Sequence, residues 1–352
     1  MARFWPQIES RSIQGWTEGF QTLYSKPDAS RQPEEFWSAV MAHVSTVGEA
    51  IRRTNYRDLV QSAAHAFCWM CCYVGKCSNG SDHLFKISDN LSDIVALKFP
   101  GECGHCIKSP CRCSPEEMDE DEDKDAKYPQ LLERKKNNSY KDRSIDNWLF
   151  DFWKIYSGQI HLQTLESVGF HLLEEAGEEA KAVRNLIQFR GILEANITGV
   201  DEAYLKHISS IEGLVTEYST TMSELKERYD KPRTKDAMKD IDLTSNDPLL
   251  IRSRIVKAKM DFVVELADTF SWLCAVQLKL FEILTHEKID DSVVTEFHIE
   301  EVLKDRYESS TVEQPMKCYA CEHESCECLF YPAIELVAEA SLEAAAEESN
   351  KP

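Results

Sequence analysis

The stretch 171–183, HLLEEAGEEAKAV, carries Glu174, Glu175, Glu178 and Glu179, and the stretch 260–276, MDFVVELADTFSWLCAV, carries Glu265 and Asp268. Residues three apart share a helix face, so two helices each offer an acid pair, Glu175/Glu178 and Glu265/Asp268. Mg²⁺ takes oxygen ligands in octahedral geometry and keeps waters for substrate phosphates, so carboxylates from neighbouring helices form a natural site for it, or for Mn²⁺. E-x-x-E pairs are common on solvated faces. The E-x-x-D pair says more, because charges beside an apolar run are costly unless paired or metal-bound.

A second chemistry is written in cysteine. CGHCIKSPCRC (Cys103, Cys106, Cys111, Cys113) and CYACEHESCEC (Cys318, Cys321, Cys326, Cys328) share the spacing C-x2-C-x4-C-x-C. Four thiolates at that spacing surround one tetrahedral Zn²⁺ with no position left for water, so both sites are expected to be structural. Cys68, Cys71, Cys72, Cys77 and Cys274 are expected to be buried small apolar residues.

These residues belong to a repeat. DLVQSAAHAFCWMCCYVGKC (58–77) aligns without gaps on DFVVELADTFSWLCAVQLKL (261–280). FQTLYS resembles FWKIYS, and VGEAIRR resembles AGEEAKAVR, in the same order. The chain therefore reads as a tandem duplication. Strand patterns are scarce and long amphipathic helices dominate, which predicts an all-α protein of two helical bundles. Leu172, Ala176, Ala180, Val183 and Ile187 should form the buried stripe of one helix, and Leu266, Leu273, Leu280 and Leu284 that of the other.

The expected organisation is a first domain over 1–113, an acidic tether over 114–147, a second domain over 148–330 and a tail over 331–352. Within the second domain lies an insertion at about 190–250, with helical periodicity broken at DKPRTK and TSNDP. On the repeat alignment, Ser45, Thr46, Glu49, Ser62 and His65 stand where Glu174, Glu175, Glu178, Glu265 and Asp268 stand, so the first half has lost the acids.

The E-x-x-E helix followed by ELAD-x-F-x-W resembles the MazG-type nucleoside triphosphate pyrophosphohydrolases, an all-α family with an E-x-x-E…E-x-x-D signature. The Cys-rich segment KFPGECGHCIKSPCRC is similar to the extension of some MazG-like proteins. The resemblance implies metal ligands at Glu175, Glu178, Glu265 and Asp268, and Mg²⁺-dependent attack of water at the α-phosphorus of an NTP or dNTP, giving monophosphate and pyrophosphate. It also implies two bundles forming an internal pseudo-dimer, able to homodimerise further. The 190–250 insertion departs from the family pattern by separating the two motifs. Glu174 or Glu179 is the candidate general base, and Lys279, Trp272 and Lys76 are candidate substrate contacts. A non-catalytic nucleotide-sensing or protein-interaction module on the same scaffold is the alternative.

Composition narrows the classes. A formal net charge of −21 repels a phosphate backbone and disfavours nucleic acid as a partner, while a metal-bridged nucleotide remains compatible. No apolar run is long enough to span a bilayer, and MARFWPQIESRSIQGW has no secretory pattern. A cytoplasmic location without membrane contact is the expectation.

Overall fold

A computed structural model describes residues 10–80, 82–113, 124–136, 140, 142–194, 200–229, 247–286, 291–307 and 315–328. The described residues are helical with no strand, as the periodicity predicts. The elements that build the core are α1 (Ile13–Leu23), α2 (Ser25–Asp28), α3 (Pro33–Arg52), α4 (Tyr56–Asn79), α5 (Leu91–Lys98), α6 (Lys124–Lys136), α7 (Ile145–Leu162) and α8 (Leu165–Glu194). They are followed by α9 (Glu202–His207), α10 (Ile211–Tyr229), α11 (Pro248–His286), α12 (Asp291–Glu296) and α13 (Ile299–Arg306).

Side-chain caps fix where the helices start. Ser12, Asn55, Asn90 and Ser144 each accept a hydrogen bond from a first-turn amide, satisfying a donor that the helix itself leaves orphaned. The 39 residues of α11 give a rod about 58 Å long at 1.5 Å per residue. Phe262, Leu266, Leu273, Leu280 and Leu284 are all buried along it, with Phe270, Cys274 and Val276 buried on its other sides. It is the central helix, packed by α5, α7, α8 and α10.

The buried stripe of α8 differs in part from the expected one. Leu172, Ala176 and Val183 are buried, but Ile187 is exposed, and Glu179, Ala182 and Leu186 take the inner positions. The reason is that α8 packs against both α3 and α11, which turns its buried face toward the 179/186 row. At the α3–α8 crossing, a Cβ on Gly169 would stand 2.5 Å from the Ile51 Cδ1 atom, so the glycine gives the end of that side chain room against α8.

Corresponding helices of the two halves make corresponding contacts. α1 packs on α4 and α7 on α11, while α5 crosses to α11 and α13 crosses to α4. The caps Ser12 and Ser144 face each other in an antiparallel bridge, and Phe67 and Phe270, aligned in the repeat, approach to 6.3 Å. The Cys111 amide donates to the Ile155 carbonyl of α7 at 2.7 Å, and the Cys326 amide donates to the Leu23 carbonyl of α1 at 2.7 Å. Each Cys loop thus holds the first helix of the other half.

The expected tether is corrected in its second part. Its acidic start lies outside the described residues, but Lys124–Lys136 is helix, with Leu131 and Leu132 buried and α6 packed on α5 and α10. Lys135 pairs with Asp93 and Lys136 with Glu212. Charge counting missed the three apolar side chains of KYPQLL that dock it. The second half starts at the Ser144 cap of α7, before the expected boundary at 148. The insertion forms α9 and α10, tied to the first half where the Ser88 amide donates to the Ser209 carbonyl at 2.7 Å and Asp89 accepts from the Ile211 amide at 2.7 Å. DKPRTK and the tail over 331–352 lie outside the described residues.

Candidate metal centres

The packing of α8 on α11 brings the two acid pairs together. Ligand oxygens of Glu175, Glu178 and Glu265 lie within 4.8 Å of one another. Asp268, one turn further along α11, is buried and ion-paired with Lys98, the last residue of α5. Lys98 belongs to the first half and arrives because α5 crosses onto α11.

The electrostatics are those of a site short of positive charge. Burial, followed by Asp268 and opposed by Lys98, pushes the Glu175 carboxyl up to about 8 from an ordinary 4.5. Burial also leads at Glu265, which is pushed up to about 7 against the pull of Lys98. Glu179 is fully buried with neither oxygen hydrogen-bonded among the described residues, and burial followed by Glu265 and Asp261 holds it well above the ordinary range. Burial by itself would lower Lys98, but Asp268 dominates and keeps its ammonium charged. Two part-buried carboxylates and the exposed Glu178, with one lysine nearby, suit a hard divalent cation.

Two residues of this environment were missed in the sequence. Tyr128 of α6 is raised by burial and lies within electrostatic reach of Lys98, Asp268 and Glu265, with its ring edge-on to Tyr218 of α10 at 5.7 Å. Lys98 had a readable signal. Lys98-Phe99 and Arg306-Tyr307 are basic–aromatic pairs that end α5 and α13 ahead of each Cys cluster, a further block of the repeat.

The other expected residues are placed as follows. Glu174 is exposed beside His171 Nδ1 at 3.4 Å, outside the convergent carboxylates. Trp272 stacks on His171 at 4.4 Å, one turn from both Asp268 and Glu175. Lys279 is not brought to the acids: it is three turns beyond Asp268, and its Nζ donates to the Ile160 carbonyl at 3.2 Å and to Glu282 at 2.8 Å. Nor is Lys76, whose Nζ donates to the Asp28 carbonyl at 3.0 Å, holding the end of α2. Replacing Lys76 by alanine is expected to cost about 1 kcal/mol of stability and leave substrate kinetics unchanged; denaturant melts and steady-state rates check both.

In the first half the corresponding place holds His43 and His65, with ring centroids 5.0 Å apart, and Arg306 within electrostatic reach. Burial first, then Arg306, lowers His43 to about 4, and the same causes take His65 well below its ordinary value. Neutral imidazoles under a guanidinium are no place for Mg²⁺. Arg306 itself lies over the Tyr319 ring at 3.7 Å.

Both cysteine quartets converge and could hold zinc. Zn–S bonds of about 2.3 Å in a tetrahedron demand S···S edges of about 3.8 Å. Cys103–Cys113 is 3.7 Å, Cys103–Cys111 is 3.4 Å and Cys106–Cys111 is 4.0 Å, and in the second loop Cys318–Cys328 is 4.0 Å. The amides of His105, Arg112 and Cys113 point at the sulfurs of Cys103, Cys106 and Cys111, which stabilises thiolate charge. Ile107 and Glu322, each just after the second cysteine of its loop, both take positive φ, at 51° and 59°. The same strained turn recurs because the same cluster must close. The five remaining cysteines are buried on helices, as expected.

No family model, no curated protein and no solved structure matches the chain. What stands is a helical protein with a part-buried cluster of carboxylates and two tetra-cysteine clusters. No helix among the described residues is long and apolar enough to cross a membrane.

The charge deficit makes a signed prediction. Glu175, Glu179 and Glu265 have folded-state pKa values above the ordinary 4.5, so their penalty is absent at low pH and grows as pH rises toward about 8. The Tm gained on adding millimolar Mg²⁺ to the zinc-loaded protein is expected to be larger at pH 8 than at pH 5.5. Calorimetric scans with and without Mg²⁺ read it, and an equal gain at both pH values would count against a carboxylate metal site.

Proposed function

We propose that the chain is a Mg²⁺-dependent nucleoside triphosphate pyrophosphohydrolase with one active site, in the second half, completed by Lys98 from the first. The observation that carries this reading is the convergence of Glu175, Glu178 and Glu265 within 4.8 Å, beside an Asp268 neutralised by Lys98. The resemblance to MazG-type enzymes supplies the reaction class. The reciprocal helix and loop contacts support an internal pseudo-dimer in which the first half has become the non-catalytic partner.

A bound Mg²⁺ would supply counter-charge for a polyphosphate and a water acidified by coordination. Glu175, Glu178 and Glu265 would hold it. Lys98 keeps Asp268 in place and carries positive charge from the first half to where a triphosphate would lie. The Trp272–His171 stack, one turn along both helices, offers a planar surface for a base. α6 brings Tyr128 within electrostatic reach of Lys98, Asp268 and Glu265 and edge-on to Tyr218 of α10, so aromatic side chains would flank the site on that side. Glu174 is the more accessible candidate base, since Glu179 is sealed in the core.

Incubating the protein with Mg²⁺ and a panel of NTPs and dNTPs while measuring pyrophosphate release tests the reading. Turnover of at least one nucleotide is expected, and absence of turnover with all of them refutes it. Lys98→Ala is expected to lower kcat/KM by roughly 10- to 100-fold while leaving zinc content unchanged. A Lys98→Ala rate equal to wild type would remove the first half from the active site.

A further inference from the structure

Outside the carboxylate centre and the cysteine loops, a third group of ligating side chains converges at the far end of α11. His161, on the last turn of α7, and Glu282 and His286, one turn apart on α11, each offer one ligand atom, and these lie within 4.8 Å of one another. We propose that this triad is a binding site for a borderline first-row divalent cation of the Zn²⁺, Co²⁺ or Ni²⁺ class. It is independent of the proposed hydrolase activity.

The donor set selects the cation. Two imidazoles and one carboxylate are the ligands that Zn²⁺, Co²⁺ and Ni²⁺ prefer, whereas Mg²⁺ wants oxygen throughout. Glu282 and His286 stand at i and i+4, so one helix face supplies two ligands, and the α7 end supplies the third.

The carboxylate is already held in position. Glu282 has only 11% of its side chain exposed, and its second oxygen accepts from Lys279 Nζ at 2.8 Å. The same Nζ donates to the Ile160 carbonyl at 3.2 Å, next to His161. Lys279 therefore ties together the two elements that bring the ligands, the outer contact that ligating carboxylates characteristically carry. The other Glu282 oxygen faces the two rings: His161 Nδ1 hydrogen-bonds it, and His286 Nε2 stands 3.9 Å away. A cation entering here would take the place of the hydrogen bond between His161 Nδ1 and Glu282. Both rings are largely exposed, at 65% and 75%, so the cation would keep water on its outer positions and exchange readily. Bound there, it would staple the end of α7 to the end of α11.

The test uses the full chain with both cysteine clusters filled by Zn²⁺ and the carboxylate centre saturated by millimolar Mg²⁺. Calorimetric titration with Ni²⁺ is expected to show one further equivalent, absent in His161→Ala and in His286→Ala but present in Glu265→Gln. Both rings lie at the surface, so the alanine variants keep the fold, and Tm in metal-free buffer verifies it. No further equivalent in the wild type, its retention in either alanine variant, or its loss in Glu265→Gln would overturn the proposal.

Discussion

Replacing Glu265 by glutamine is expected to abolish measurable pyrophosphate release, a loss of at least roughly 10²- to 10³-fold, while leaving the protein folded. Glu265 has a ligand oxygen within 4.8 Å of those of Glu175 and Glu178, and burial, joined by repulsion from Asp268 and Glu178 and opposed by Lys98, pushes it up to about 7. Its amide keeps the shape but removes the charge a divalent cation needs. Two readouts separate this from unfolding. Tm in Mg²⁺-free buffer is expected to stay level or rise, because a buried, poorly paired carboxyl becomes neutral at no cost in volume. The Tm gained on adding Mg²⁺ is expected to vanish. Full turnover by Glu265→Gln would remove the acid centre from the chemistry.

Losing a cysteine quartet should be as severe, through stability. Cys106→Ser is expected to reduce bound zinc by one equivalent per chain and to lower Tm sharply, since structural zinc contributes on the order of 10 kcal/mol of apparent folding free energy. The effect should reach the carboxylate cluster. The first loop begins five residues after Lys98, and its Cys111 holds the Ile155 carbonyl of α7, while Gln159 of α7 donates to the Cys111 sulfur at 3.2 Å. Freeing that loop frees the α5 end that carries Lys98. Zinc content by elemental analysis, Tm and kcat/KM are expected to fall together in Cys106→Ser. Cys68→Ala removes a buried thiol outside both clusters and should leave zinc content at the wild-type level.

How far the sequence could be read follows from which signals are local. The four acids and the eight cysteines of the two quartets stood out because each set is defined by short spacing, and the repeat matched the helices and loops that carry them. The core leucines of α11 followed from periodicity, since Leu266, Leu273, Leu280 and Leu284 recur on one face and all are buried. What depends on the crossing of the halves was not legible. Lys98 comes from α5, and nothing in its own segment says that α5 packs on α11. Lys279 and Lys76 share a repeat position and were read as substrate contacts, yet each instead ties down the end of a neighbouring helix through a backbone carbonyl. Tyr128 was hidden because an acidic composition masked the docking residues of α6. Glu179, drawn as one of four similar glutamates, proved fully buried once α3 and α11 both claimed α8.

The proposed reaction is water attack at the α-phosphorus at a site built on Glu175, Glu178, Glu265 and Asp268. Turnover of the preferred nucleotide in H₂¹⁸O with Mg²⁺, followed by mass analysis of both products, tests it most directly. The predicted result is one ¹⁸O in the nucleoside monophosphate and none in the pyrophosphate, with no product from Glu265→Gln. Label in released pyrophosphate or orthophosphate, or no hydrolysis of any nucleotide by the wild type, would contradict it.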